Sequence, residues 1–394
     1  MHLAETAEQQ ALRKELREHF ADLLTPEIKR ELGEAGEGNA LFRDLVRRMG
    51  SDGWLGLGWP VEYGGKGRPA TDQFILFDEI QRARAPFPFV TINTVGPTLM
   101  KYGTEEQKQA YLPGILAGDI NFAIGYTEPE AGTDLASLKT RAVLDGDEWI
   151  INGNKVYTSG ANQADYIWLA CRTDQDAPKH KGISIIIVPT SSPGFSWTPI
   201  VTVGGNQTTA SYYTDVRVPK GNVVSGVNEG WRLITTQLNH ERVGLAALSG
   251  LTYRLYEDTV AWCRTEQSGR RASETMIDVP WVQNDLAKCR ATLDALNLMS
   301  WKLVKAVADN TLTPQDSSSV KVFGTERVVE VYKLLSGILG PAARLRDNSP
   351  GAVLGGDIER ASRMAQINTF GGGVNEIQRD IIAGAGLGMA RASR

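Results

Sequence analysis

The chain has 394 residues, with 42 lysines and arginines against 46 aspartates and glutamates, a formal net charge of −4, and 42% hydrophobic residues. That length suits two or three domains sharing a large core, and the balanced charge offers no basic face for nucleic acid. Three scattered cysteines (Cys171, Cys263, Cys289) without a CxxC, and four histidines without an HExxH, exclude a disulfide framework and give no basis for a metal site. The first residues lack the charged-then-apolar pattern of a signal peptide, and no run reaches membrane-spanning length. The expectation is a cytoplasmic globular enzyme.

Residues 1–118 read as mainly helical. Leu12, Leu16, Phe20 and Leu23 mark a first amphipathic stripe, and Leu41, Leu45 and Met49 a second. Residues 53–67 break the pattern with Trp54, Leu55, Leu57, Trp59 and a Tyr63-Gly64-Gly65-Lys66-Gly67 ending. Such a stretch is a compact loop pinned to the core by its aromatic residues. Helical periodicity returns over 73–83 and 104–116, where Thr104 and Gln107 form a capping box.

Residues 119–228 change texture. Short β-rich runs at 142–143, 149–151, 166–170 and 183–188 are separated by turn chemistry at Asp145-Gly146-Asp147, Asn152-Gly153-Asn154 and Ser192-Pro193-Gly194. From residue 229 to 394 the helical pattern resumes, with polar loops at 268–274 and 347–356. The chain is therefore α+β, with an N-terminal helical domain, a middle antiparallel β-barrel or sandwich domain and a C-terminal helical domain.

Four stretches are candidates for chemistry. In the helix pattern around residue 241, Ile234, Leu238, Leu245 and Leu248 share a stripe with Glu241. A carboxylate on a buried stripe is either paired with a charge from another segment, protonated, or used in a reaction. Between the first helical block and the β block lies Tyr126-Thr127-Glu128-Pro129-Glu130-Ala131-Gly132-Thr133. Its hydroxyls and glycine suit hydrogen bonding to a flat polar ring or a pyrophosphate, or simply a turn. Lys155-Val156-Tyr157-Thr158-Ser159-Gly160 places an aromatic ring beside two hydroxyls, which is either cofactor backing or an exposed strand end. Near the C-terminus, Phe370-Gly371-Gly372-Gly373-Val374-Asn375 reads as a loop that either passes close to something or plainly connects two helices. The last helix then begins near Asn375. No Rossmann or P-loop signature is present.

Taken together, residues 54–67, Tyr126-Thr127-Glu128-Pro129, Ile151-Asn152-Gly153-Asn154-Lys155 and Glu376-Ile377-Gln378-Arg379 resemble the acyl-CoA dehydrogenase family, in family order over nearly the whole chain. The resemblance implies that the C-terminal domain is a four-helix bundle and that FAD lies in a cleft among the three domains. It also implies α,β-dehydrogenation of an acyl-CoA thioester, with electrons passed to an electron-transferring flavoprotein. By family position Thr127 and Thr133 contact the flavin, Tyr157 stacks beside it and Ser159 bonds it. The same correspondence puts Gly373 at the thioester carbonyl, where a backbone N–H stabilises the developing enolate. Arg242 and Gly372 border the substrate.

The departures from the family pattern sharpen this. Relatives carry the base either at the position of Glu241 or at that of Gly372, and glycine cannot serve. Glu241 is therefore the base by position. Tyr157 stands where Trp is more usual, and Val374 where a hydroxyl residue is common. Homotetrameric relatives lend a neighbour an Arg and a Gln to complete its FAD site. The corresponding segments here, Thr265-Glu266-Gln267-Ser268-Gly269-Arg270 and Gly337-Ile338-Leu339-Gly340-Pro341, lack both in register. This implies a homologous partner subunit in an α2β2 heterotetramer. The sequence most resembles the actinobacterial steroid (cholesterol) side-chain dehydrogenases of that kind, and Gly372 leaves room for a bulky acyl group. A short- or branched-chain acyl-CoA, or a non-catalytic partner role, are the alternatives.

Overall fold

The computed structural model describes residues 5–35, 40–205, 207–240, 249–269, 273–347 and 349–390; the side chains of 33–35 and 238–240 are not among the described groups. Glu241 and Arg242 therefore lie outside the described residues.

The N-terminal part holds α1 (Ala7–Leu23), α2 (Pro26–Ala35), α3 (Ala40–Ser51), α4 (Ala70–Ala83), α5 (Gly96–Tyr102) and α6 (Glu105–Ala117). The first stripe, Leu12, Leu16, Phe20 and Leu23, is buried as expected, and a Thr6–Gln9 capping box starts α1. Thr104 and Gln107 form the second box, with reciprocal bonds of 3.2 Å. The loop at 54–67 is pinned in the expected way. Trp54, Leu55, Leu57 and Trp59 are buried, and Trp59 Nε1 donates to Ile92 O at 3.1 Å. Ile92 belongs to a π-helical turn, Thr91–Val95, that leads into α5.

The middle part is one seven-stranded sheet: β1 (Phe122–Gly125), β2 (Arg141–Asp145), β3 (Glu148–Lys155), β4 (Tyr166–Arg172), β5 (Ile183–Pro189), β6 (Phe195–Val201) and β7 (Gln207–Pro219). The order is β1-β4-β2-β3-β7-β6, with β5 on β4. Most pairings are antiparallel, as expected, but β1 and β2 each run parallel to β4. Both faces of β4 and β5 are covered. Ile167, Leu169 and Cys171 join Trp149, Ile151 and Val216 on one face, while Trp168 and Ala170 join the large helical core on the other. That is why these strands read as continuous apolar runs rather than alternating ones.

Asn152-Gly153-Asn154 corrects an expectation. It is not a turn but part of β3, with a register shift against β7 between Ile151 and Gly153. A Cβ on Gly153 would lie 2.5 Å from Thr140 Oγ1, so this glycine serves a close approach inside the sheet.

The C-terminal part contains α7 (Gly230–His240), α8 (Ser249–Thr265), α9 (Pro280–Ala308), α10 (Pro314–Leu339), α11 (Asp357–Ala365) and α12 (Asn375–Ile381). Helices α8, α9 and α10 pack together, with α4 from the N-terminal part against α8 and α9; α7 lies between β5 and α5. The last helix starts at Asn375, as the glycine run predicts. Ion pairs tie the parts together: Arg43 to Asp165, and Arg84 to Asp357, an aspartate that Arg254 of the C-terminal part also engages at 2.6 Å. No helix among the described residues is long and apolar enough to cross a membrane, and no described cluster of His, Cys, Asp or Glu could hold a metal.

Candidate active site

The first two candidate loops meet at the end of β3. Val156 N donates to Thr127 O at 2.8 Å, which brings the Tyr126–Thr133 loop beside Tyr157. The fastening is a buried ion pair. Lys155 continues the inward phase of β3 set by Trp149 and Ile151, and its side chain is 0% exposed. Its Nζ reaches Glu128 Oε1 at 2.8 Å and Tyr126 O at 3.1 Å. Glu128 also accepts the backbone N–H groups of Lys139 at 2.6 Å and Thr140 at 2.8 Å.

Burial works against both charges. It pushes the Glu128 carboxyl up, but Lys155 and the two N–H donors outweigh it and hold that carboxyl below the usual range. For Lys155 burial is the larger influence and lowers it, with Glu128 opposing. The two directions conflict for one pair. The four hydrogen bonds around it favour the ionised form, because both Glu128 oxygens accept and neither donates.

Beyond this anchor, Tyr157 is 63% exposed and sits at φ +60°, in the left-handed region that a bulky residue seldom adopts. Its neighbour Thr158 is fully buried, and Thr158 N donates to Thr209 O at 2.9 Å. A strained backbone that turns an aromatic ring outward beside a buried hydroxyl residue suits a face for a flat ligand. Ser159 Oγ lies 2.9 Å from Thr208 Oγ1, and Thr133 is exposed at the loop's far side. Gly132 is uncrowded: the nearest atom to an added Cβ is Thr127 Cγ2 at 4.0 Å.

A relay connects this loop to α7. Trp168 Nε1 donates to Tyr126 Oη at 3.1 Å, and Tyr126 Oη donates to Gln237 Oε1. Trp can only donate, so the network places the Gln237 amide with its NH2 on the far side, and that buried nitrogen has no partner among the described residues. Gln237 precedes Glu241 by four positions in the sequence.

At the C-terminal loop, Gly372 and Gly373 have φ of +66° and +101°, and an added Cβ at Gly372 meets open space. Lys321 of α10 donates to Gly373 O at 2.6 Å. Among the described contacts, none joins a residue of the first two loops to this third one. Sequence reasoning names Glu128 and Lys155 within its motifs but assigns no role to them or to Gln237 and Lys321, although Lys155 and Lys321 both fall on otherwise inward-facing phases.

The acyl-CoA dehydrogenase family matches the chain in three blocks: its N-terminal domain at 6–119, its middle domain at 123–217 and its C-terminal domain at 228–387. The chain belongs to the acyl-CoA dehydrogenase family. Its members are FAD-dependent oxidoreductases. The chain is 50% identical to acyl-CoA dehydrogenase FadE26 of Mycobacterium tuberculosis, covering 100% of both chains, and 47% identical to FadE29 of that organism, covering 99% of both. Among solved structures it is similar to the Tcur3481-Tcur3483 steroid ACAD, with TM-score 0.94, 60% identity and 100% of both chains covered. It is similar also to the ChsE4-ChsE5 complex from Mycobacterium tuberculosis, with TM-score 0.93, 50% identity and full coverage of both.

The described residues fit a flavin of that family on their own chemistry. The outward ring of Tyr157 would supply a stacking face, and the half-buried Thr127 and the Gln237 nitrogen, which has no partner among the described residues, would supply donors; an added Cβ on Gly160, at φ +81°, meets open space.

Proposed function

We propose that this acyl-CoA dehydrogenase oxidises a bulky steroid side-chain acyl-CoA to its trans-2-enoyl-CoA, with Glu241 as the base. The observation that carries the reading is Gly372. An open, positive-φ glycine occupies the alternative base position, which leaves Glu241 as the family-position carboxylate.

The α proton of a thioester is weakly acidic, so the base needs an apolar setting and the carbonyl oxygen needs donors. Glu241 takes that proton, and the Gly373 N–H donates to the carbonyl oxygen as enolate character develops. No hydrogen bond within the described residues uses that N–H. FAD, when bound, supplies the acceptor for the β hydride. Tyr157 stacks beside its ring, Thr127 and Thr133 bond its polar edge, and Ser159 completes the contact. Arg242 and Gly372 border the acyl thioester, Gly372 by leaving space for a wide acyl group. The three domains, 1–118, 119–228 and 229–394, enclose the cleft, and electrons leave to an electron-transferring flavoprotein.

The assembly in this reading is an α2β2 heterotetramer with a homologous subunit. Support comes from the absence, in register, of the Arg and Gln that homotetrameric relatives lend, and from relatives that are themselves complexes of two chains. Large apolar side chains lie exposed on the C-terminal helices and tail, including Trp281, Leu298, Leu387 and Met389, as an unmade interface requires.

The test is anaerobic bleaching of the enzyme's flavin by a panel of acyl-CoAs, repeated with Glu241→Gln. The expected result is a bleaching rate lower by roughly 10²- to 10⁴-fold with acyl-CoA still bound. Undiminished bleaching in the variant removes Glu241 as base, and a preference for short acyl-CoAs removes the steroid substrate.

A further inference from the structure

Glycines lose more freedom on ordering than any other residue, and Gly371, Gly372 and Gly373 are consecutive and exposed. A backbone N–H in such a run can be aimed at a substrate oxygen only if something outside the run holds it.

Helix α10 does so through one side chain. Lys321 Nζ donates to Thr369 O at 3.1 Å, to Gly373 O at 2.6 Å and to Asn375 Oδ1 at 2.7 Å. An ammonium has three N–H bonds, and here all three end on acceptors at both ends of the glycine run. Asn375 is itself fixed. It is buried, and its Nδ2 donates to Thr325 Oγ1 at 3.1 Å and Glu326 Oε1 at 3.0 Å, about one turn along the same helix. The loop is thus held between a rigid helix and the first residue of the next.

We propose that Lys321 is a positioning residue for proton abstraction: its ammonium staples residues 369–375 and keeps the Gly373 N–H aimed at the thioester carbonyl. This rests on the role given to Gly373 above.

The staple needs its proton. The charged groups that face Lys321 are Glu326 on its own helix, which Arg379 engages at 2.7 and 2.8 Å, and Glu376 on α12. Burial pulls the ammonium down to about 8 against the pull of those two carboxylates. A neutral amine keeps two N–H bonds for three acceptors and turns a lone pair toward one of them. The sign for stability runs the other way. Because the folded value lies below that of a free lysine, the unfolded chain holds the proton more tightly between the two, and losing it favours the folded state. The titration of Lys321 by itself therefore does not unfold the chain in that window.

The experiment follows anaerobic flavin bleaching by acyl-CoA in the holoenzyme, with its companion subunit, from about pH 6 to about pH 10 for the wild type, Lys321→Arg and Lys321→Met. The wild-type rate is expected to fall about tenfold through a limb centred near pH 8. Lys321→Arg keeps its rate through that limb, because a guanidinium stays charged. Lys321→Met is slower by roughly 10- to 100-fold at every pH with its flavin content unchanged. A flat wild-type profile, an unshifted limb in Lys321→Arg, or wild-type speed in Lys321→Met overturns the proposal. Should Lys321→Met fail to hold flavin, the wild type and Lys321→Arg decide alone. Glu241→Gln in the same assay keeps the two readings apart, since bleaching retained there sinks the base assignment and leaves the Lys321 profile to stand or fall by itself.

Discussion

Replacing Glu128 with Gln tests whether the buried ion pair holds the loop against β3. The change keeps size and shape but removes the charge facing Lys155, whose side chain is 0% exposed and whose Nζ lies 2.8 Å from the carboxylate. It also costs the N–H groups of Lys139 and Thr140 their charged acceptor, since an amide has one oxygen where the carboxylate has two. Breaking a buried pair by removing one partner costs about 3–5 kcal/mol. Lys155 can shed its proton, the direction in which burial already pulls it, so the lower end, about 3 kcal/mol, is expected. Unfolding entropy of about 2.1 cal/mol/K per residue turns this into a melting shift of about 4 °C for a chain of this length. The assay is thermal melting followed by flavin fluorescence, on Glu128→Gln, Lys155→Met and the double variant. The double variant is expected to recover at least about 1.5 kcal/mol relative to the sum of the singles, because no lone charge is left behind. A coupling energy under about 0.5 kcal/mol would refute the reasoning.

Two further outcomes follow from the same geometry. Tyr157→Gly relieves a non-glycine residue at φ +60°, worth about 1 kcal/mol or more, so the apoprotein should melt no lower than wild type. Its flavin affinity should nevertheless fall about tenfold through loss of the stacking face, and unchanged affinity by flavin titration would rule out stacking. Expressed alone, the chain should fail to form a homotetramer saturated with flavin, and co-expression with a homologous subunit should restore tight binding. Light scattering with a flavin-to-protein absorbance ratio reads both, and a stable, fully loaded homotetramer would refute the heteromer.

Much of the architecture was legible in the chain because it depends on local periodicity. The stripe Leu12, Leu16, Phe20 and Leu23, the Thr104–Gln107 capping box and the helix start at Asn375 involve neighbours within a few turns, and each stands where expected. The turn expected at Asn152-Gly153-Asn154 failed for the opposite reason. Whether Gly153 bends the chain or lets Thr140 approach depends on a strand that arrives from elsewhere. The strands β1, β6 and β7 escaped notice too. The first is only four residues long, while β6 and β7 expose many positions and carry a mixed pattern.

By itself the sequence determined the family and the order of helical and β segments. These follow from residue identity and spacing. The tertiary structure decided how the loops are held. Lys155 and Lys321 each sit on an inward phase that sequence alone marks as costly for a charge, but nothing local says what neutralises it. The answers come from 27 residues before Lys155, in Glu128, and from 48 to 54 residues after Lys321, in Thr369, Gly373 and Asn375. A buried cation needs acceptors in three dimensions, and only folding brings them within reach.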